Sequence, residues 1–393
     1  MDFRISEEQQ MLLDSINKFA ERENFKELAV KIDRENHFPE EELLPKYAAL
    51  GLYGMTISPE YGGGGQPALT AVLAVEELAK YSIALGAAVF ENNLGPCRIL
   101  ETYGTEEQKK RILPGVCEGK YCLSIGMTEP GGGSDLAALS TKGVDKGDHF
   151  LLNGNKCFIS GGGSSSHFLV FCRLSEDKGF RSIGAVIVEK GMAGFSHGPQ
   201  EDFLGWRGVP SAELIFEDVK VPKENVVIEA GGFAKLLGGF ALERLGNSAC
   251  SVGTAEGAFR EAMEYTTVRE AFKKQICEFQ AMQFSIVEMK MQIDAARMLL
   301  YRAASGAGMA FPNPFEAAMA KCYCNAMAVE VTNKALQIFG GYGYSKEFPV
   351  ERYLRDARGC GIAGGTQEML KLTQARFLYG RMFDQRGSKP EGK

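Results

Sequence analysis

Residues 150–160 read FLLNGNKCFIS. Two short apolar runs flank Asn153-Gly154, the pattern of two strands joined by a tight hairpin turn. The β character continues downstream through Phe168–Cys172, Ile183–Val188 and Ala212–Val221, with turn residues between. Glycine- and serine-rich loops are predicted at Gly131–Ser134 and Gly161–Ser166. Residues 121–228 are therefore predicted to form a β-domain.

Both flanks read as helix. Ser6-Glu7-Glu8-Gln9 has the form of a capping box, and Met11, Leu12, Ile16, Phe19 and Ala20 recur at helical spacing. Further helices are predicted over 40–50, 69–85 and 106–115. The stretch Tyr61–Gly65 is a loop, because no Gly-Lys-Ser/Thr follows its glycines. After Gly232 the periodicity predicts helices over 233–267, 276–307, 314–339 and 366–382, and four such helices suggest an antiparallel bundle. The closing RGSKPEGK is expected to be disordered. The predicted fold class is α+β: an N-terminal helical domain (1–120), a middle β-domain (121–228) and a C-terminal four-helix bundle (229–393).

At 393 residues the chain is longer than one core comfortably supports. Its 44 Lys and Arg against 50 Asp and Glu leave a net charge of −6, which argues against nucleic-acid or anionic-membrane partners. No apolar run approaches the ~18 residues of a membrane-spanning helix. The start, MDFRISEEQQ, lacks the features of a signal peptide, so a cytoplasmic location is expected. Ten cysteines include no CxxC pair, and the four histidines (37, 149, 167, 197) stand at no ligand spacing from them. Neither a metal site nor a disulfide framework is predicted.

A series of blocks then stands in order: Met127-Thr128-Glu129-Pro130-Gly131-Gly132-Gly133-Ser134-Asp135, Asn153–Ser160, Gly205-Trp206-Arg207-Gly208, and Phe216–Pro222. Arg269-Glu270-Ala271-Phe272 with Phe279-Gln280, Gln337–Tyr344, Arg355–Arg358 and Gly364-Gly365-Thr366 complete it. This series, spread over nearly the whole chain, resembles the acyl-CoA dehydrogenase family of flavoproteins. The resemblance implies FAD as cofactor, an acyl-CoA thioester as substrate, a homotetramer, and electron-transfer flavoprotein as electron acceptor. It implies that Met127, Thr128, Phe158, Ile159 and Ser160 lie along the flavin ring, with Ser134 on the same loop. Arg269, Phe272, Gln280, Gln337, Gly340 and Gly341 resemble positions that reach a neighbouring subunit's FAD. Thr366 would close the flavin site, and Ser134 and Arg244 would contact the CoA moiety. Lys273 departs from the glycine usual after this phenylalanine, a change at the adenine half of the FAD site.

A second departure bears on mechanism. Many family members carry the catalytic Glu immediately before the Gly-Thr pair, where this chain has Gly364. The isovaleryl-CoA and long-chain subset takes its base from an earlier helix, marked by a Glu-Arg pair, and Glu243-Arg244 matches it. Gly239 and Gly246 bracket Glu243, and glycines inside a helix suggest that something approaches that face closely. By resemblance, Glu243 takes the α-proton, the Gly364 N–H donates to the thioester oxygen, and a β-hydride passes to flavin N5. Glu368 lies past the frame set by Gly365-Thr366 and reads as a solvated helix carboxylate. Glu91 follows an apolar run; it is either a helix-end acid or a second pocket carboxylate able to take a proton farther along a ring. Room at Ala363 and Gly364 suggests a branched, cyclic or aryl-substituted acyl group. The alternatives are the same chemistry run as an enoyl-CoA reductase, an acyl-CoA oxidase, ring dehydrogenation involving Glu91, and a non-catalytic flavin-binding relative.

Overall fold

The computed structural model describes residues 5–380; the RGSKPEGK tail and the end of the 366–382 helix lie outside them. The chain opens with seven helices: α1 (Glu7–Arg22), α2 (Phe25–Glu35), α3 (Glu40–Ala49), α4 (Ala68–Ala79), α5 (Ile83–Leu94), α6 (Pro96–Tyr103) and α7 (Glu106–Cys117). The capping box forms as predicted, Gln9 N donating to Ser6 Oγ at 3.2 Å and Ser6 N to Gln9 Oε1 at 3.1 Å. The single helix predicted over 69–85 is two. Ser82 takes an extended conformation and its hydroxyl accepts from Ala84 N at 3.2 Å, which starts a new helix at Ile83.

Eight strands follow: β1 (Leu123–Gly126), β2 (Lys142–Asp145), β3 (His149–Ser160), β4 (His167–Arg173), β5 (Ile183–Glu189), β6 (Phe195–Gln200), β7 (Ser211–Pro222) and β8 (Val226–Ile228). They form one sheet in the order β6-β7-β3-β2-β4-β5-β8, with β1 parallel to β4. The predicted hairpin at Asn153-Gly154 does not exist, because β3 runs straight through it. The pair instead sits at a bulge where the register against β7 slips between Leu152 and Gly154. Asn153 exchanges two 2.9 Å hydrogen bonds with Asp218 on β7, accepting from its N–H and donating to Oδ1. Gly154 has φ +135°, and a Cβ there would lie 2.7 Å from Thr141 Cα. An Asn-Gly pair satisfies a bulge as well as a turn, so its composition alone did not separate the two.

The C-terminal part holds α8 (Phe233–Val268), a two-stranded hairpin of β9 (Glu270–Ala271) and β10 (Lys274–Gln275), then α9 (Gln280–Ala307), α10 (Pro314–Phe339), α11 (Val350–Cys360) and α12 (Gln367–Tyr379). Among the described residues it thus has five helices, α11 being unanticipated. Helices from both ends of the chain share one core, in which Phe19, Tyr47, Val72 and Leu85 meet Leu245, Leu300 and Val331. The sheet packs one face on α6, α7 and α8 through Ile99, Leu113, Leu169, Phe171 and Phe240. Among the described residues, no helix is long and apolar enough to cross a membrane.

Glycines seven residues apart on α8 set its contacts. A Cβ at Gly239, Gly246 or Gly253 would stand 2.2 Å from Ile99 Cγ1 on α6, 2.1 Å from Phe90 Cδ2 on α5, and 2.3 Å from the Glu76 carbonyl oxygen on α4. The glycines beside Glu243 therefore admit neighbouring helices. What approaches that face is Phe90 and Ile99, not a ligand.

Candidate active site

Close packing of α5 on α8 brings two carboxyl groups together. Glu243 and Glu91 are both partly open to solvent, in stretches of helix otherwise mostly buried. Oε2 of Glu243 is enclosed with no hydrogen-bond partner among the described residues, as are Oδ1 of Asn92 and Nε of Arg244. Burial raises the Glu243 carboxyl well above the usual carboxylate range; the Glu91 charge adds to this, and Arg244 and Lys321 oppose it. Burial alone pushes Glu91 up to about 8. Arg244 lies with its guanidinium 5.6 Å from the centre of the Phe240 ring. Ser134 stands exposed on the glycine loop and is not hydrogen-bonded to Arg244.

The turn between α11 and α12 carries Gly364 and Gly365 at φ +70° and +94°, a region that favours glycine. A Cβ at 364 would lie 3.2 Å from Lys321 Cε and 3.9 Å from Asn247 Nδ2. Part of the room expected at Gly364 is thus taken by the Lys321 stem. Thr366 caps α12, its hydroxyl accepting from Met369 N at 3.4 Å. Glu368 is exposed in the first turn of α12, and its own N–H and the Thr366 side chain lower its carboxyl.

Lys321 was missed in the sequence, although it is the one charged residue between 317 and 329. It is fully buried on α10 and donates to Asn325 Oδ1 (2.9 Å), the Cys360 carbonyl (3.1 Å) and the Gly365 carbonyl (3.1 Å).

The residues assigned to the flavin ring surround the end of β3. The register against β7 slips between Lys156 and Ile159, and Phe158 is turned outward at φ +59° with 59% of its surface exposed. Cys157 N donates to the Thr128 carbonyl at 2.9 Å, which sets the 127–134 loop beside that ring. Met127 and Ile159 are buried, while Thr128 and Ser160 are half-buried. A buried ion pair also missed in the sequence anchors the loop: Lys156 Nζ donates to Glu129 Oε1 at 2.7 Å and to the Met127 carbonyl at 3.2 Å. Burial would raise Glu129, but Lys156 and the Ser140 donors outweigh it and hold its carboxyl down at about 2. An uncovered aromatic ring beside a braced glycine loop fits a flat ring system with polar edges.

A second cluster gathers where α8 ends. Arg269 follows the last turn of α8 with its guanidinium 5.8 Å from the Tyr342 ring, and Phe272 is 90% exposed at the hairpin tip. Phe272 and Lys273 have φ +53° and +65°, so Lys273 holds the left-handed turn position that glycine would fill without strain. Gln280 opens α9, Gln337 lies in the last turn of α10, and Gly340 and Gly341 follow that helix, all exposed. Between Glu243 and Arg269, α8 rises roughly 39 Å at 1.5 Å per residue. That distance separates the cluster from Glu243 within one chain.

A groove of about 760 Å³ lies away from these residues, between α2, α8 and α11, and is lined by Lys26, Arg34, Arg260 and Glu261 among others. Its charges are mixed, and none of the residues above lines it.

Two neighbouring carboxyls raised by burial, with a glycine turn, a braced loop and an open aromatic ring, belong to an enzyme rather than to a structural scaffold. Family models for the N-terminal, middle and C-terminal domains of acyl-CoA dehydrogenase match residues 6–120, 124–219 and 230–379. The short-chain-specific acyl-CoA dehydrogenase of Clostridium acetobutylicum is 39% identical over 98% of this chain and all of its own length. The solved butyryl-CoA dehydrogenase of Megasphaera elsdenii superposes with a TM-score of 0.93 at 36% identity, covering 96% of this chain and 100% of that one. A chain solved in work on the electron transferring flavoprotein of Acidaminococcus fermentans also gives 0.93, at 39% identity over 96% and 99% of the two chains. The chain belongs to the acyl-CoA dehydrogenase family and is an oxidoreductase with FAD as its cofactor.

Proposed function

We propose that the chain dehydrogenates the α,β bond of a compact acyl-CoA thioester, branched, cyclic or aryl-substituted, with Glu243 as the base. The observation that carries this reading is the enclosed, unpartnered Oε2 of Glu243, in a chain whose Gly364 has no side chain to take a proton. The α-hydrogen of a thioester is a far weaker acid than a carboxylic acid, and two effects narrow the gap. Burial and the neighbouring Glu91 make Glu243 a stronger base, while the Gly364 N–H stabilises the developing enolate oxygen. Burial raises both carboxyls, and Arg244 and Lys321 favour the ionised form of Glu243. FAD, when bound, accepts the hydride that leaves Cβ. The paired carboxyls disfavour an acyl group that carries its own negative charge.

The reading includes Met127, Thr128, Ser134, Phe158, Ile159, Ser160 and Thr366 around the flavin, and Ser134 and Arg244 toward CoA. Arg269, Phe272, Gln280, Gln337, Gly340 and Gly341 serve the FAD of a second copy in a homotetramer, because their distance from Glu243 along α8 exceeds the reach of one dinucleotide. An exposed apolar stripe on α9, Phe284, Val287 and Met291, supports that assembly. Electron-transfer flavoprotein is the proposed acceptor, supported by the likeness to the chain from the Acidaminococcus work. Ten unpaired cysteines support a reducing, cytoplasmic location.

The test is anaerobic bleaching of the bound flavin by a panel of straight, branched, cyclic and aryl CoA esters. Glu243→Gln should keep its FAD and lose turnover by several orders of magnitude; turnover near wild type would sink the assignment. The raised Glu91 beside Glu243 favours one second reading, ring dehydrogenation of a cyclic ester in which Glu91 takes a proton farther along the ring. Glu91→Gln should then slow cyclic esters and spare straight ones, and equal rates on every ester would remove that role.

A further inference from the structure

We propose that Lys321 is a positioning residue that holds the Gly364 N–H in a set relation to the Glu243 carboxylate, through a buried polar chain running Lys321–Asn325–Asn247. The inference rests on the reading of Glu243 as base and Gly364 as thioester donor. Lys321 spends all three ammonium protons on protein acceptors: Asn325 Oδ1, the Cys360 carbonyl at the end of α11, and the Gly365 carbonyl in the following turn. Bonds to 360 and 365 pin the turn on both sides of Gly364. Its Cε would stand 3.2 Å from a Cβ at that position, so the stem also packs against the glycine.

From Asn325 the chain crosses to α8. Asn325 Nδ2 donates to Asn247 Oδ1 at 2.9 Å and to Ser251 Oγ at 2.6 Å, and Ser251 Oγ donates to the Asn247 carbonyl at 3.1 Å. Asn247 lies one helical turn beyond Glu243. Lys321, Asn325, Asn247 and Ser251 are all buried. A polar chain bonded link to link in a low-dielectric core has few alternative geometries, which suits it to fixing two reacting groups. A buried ammonium is a costly way to hold helices together, and well-packed apolar residues do that at least as well. The placement of this one, under the turn that carries the donor, is what a positioning role requires.

Lys321 also acts by charge. The charged groups facing Glu243 are Glu91 from α5, Arg244 from its own helix and Lys321 from α10. Those facing Lys321 are Arg244 and Glu243 from α8, with the Cys322 and Cys360 thiols beside it. Removing Lys321 deletes one of two cations that favour the ionised base, so Glu243 would ionise at higher pH.

The test uses the FAD-loaded enzyme, the ester that bleaches it fastest, and the variants Lys321→Met, Asn325→Asp and Glu243→Gln. Met matches the lysine stem without its charge. Asp keeps an acceptor for Lys321 and loses both donors to α8. Lys321→Met should lower kcat roughly tenfold or more, with KM within about threefold. It should also move the acidic limb of kcat/KM to higher pH and speed amide exchange in residues 361–366. Asn325→Asp should lower kcat while the 361–366 amides stay protected. Should Lys321→Met fail to fold, kcat in Asn325→Asp decides. Lowered stability with kcat and the acidic limb unmoved would assign the chain to packing alone and overturn the proposal. Loss of turnover in Glu243→Gln beside wild-type kinetics in the other two would sink this inference and leave the base standing; wild-type turnover in Glu243→Gln would sink the base reading itself.

Discussion

Glu91 shows how far one side chain's chemistry can move from its sequence value. Its carboxyl stands at about 8 in the fold, against 4.5 when exposed, because burial disfavours the charged form. The folded state therefore keeps a proton that the unfolded chain gives up between about pH 4.5 and 8. Since the folded state binds more protons in that window, stability falls as pH rises through it. Glu91→Gln removes this slope. Urea unfolding at pH 5 and pH 8.5 should show the variant gaining on wild type as pH rises, and parallel curves would place Glu91 in solvent. Lys156 and Glu129 show the opposite sign at the 127–134 loop. The stability from Glu129, held at about 2, is fully present above pH 4.5 and is lost as pH falls through 2.

At the scale of elements, α8 is organised by what its glycines admit. Each glycine inside the helix costs roughly 1 kcal/mol of helix propensity, and close crossing by α4, α5 and α6 offsets it. Gly253→Ala sets a Cβ 2.3 Å from the Glu76 carbonyl, a backbone atom unable to swing aside. It should destabilise the fold by about 2 kcal/mol or more in chemical denaturation; an unchanged midpoint would mean that α4 shifts freely. The β9–β10 hairpin presents the reverse case. Lys273 sits at φ +65°, so Lys273→Gly should raise stability by roughly 1 kcal/mol without moving the turn. A loss would show that the lysine makes a contact worth more than its strain.

For the whole molecule, the exposed stripe of Phe284, Val287 and Met291 on α9 and the cluster at the end of α8 make one combined prediction. If the stripe joins copies and the cluster serves a neighbour's FAD, Phe284→Glu with Met291→Glu should lower the oligomeric mass and the flavin content together. Sedimentation with a flavin-to-protein absorbance ratio reads both. A smaller assembly with full flavin would separate the two roles.

Much of this protein was legible in its sequence. The helix–sheet–helix order, the Ser6–Gln9 cap, the strands around 168–172, 183–188 and 212–221, and the ordered motif blocks all follow from neighbours along the chain. Periodicity and capping act over a few residues, so a linear reading captures them. The Asn153-Gly154 bulge, the break at Ser82 and the tenants of the α8 glycines depended on partners such as Asp218, Thr141, Phe90 and Ile99, which reach those positions only in the folded chain. The Glu-Arg pair and the vacancy at Gly364 that lead to the proposal of Glu243 as base could be read along the chain. The environment of Glu243 could not, because it is assembled from residues 91, 243, 247, 321 and 364. Desolvation and pairwise charge depend on distances in space, and those distances exist only once α5, α8, α10 and the turn before α12 have packed together.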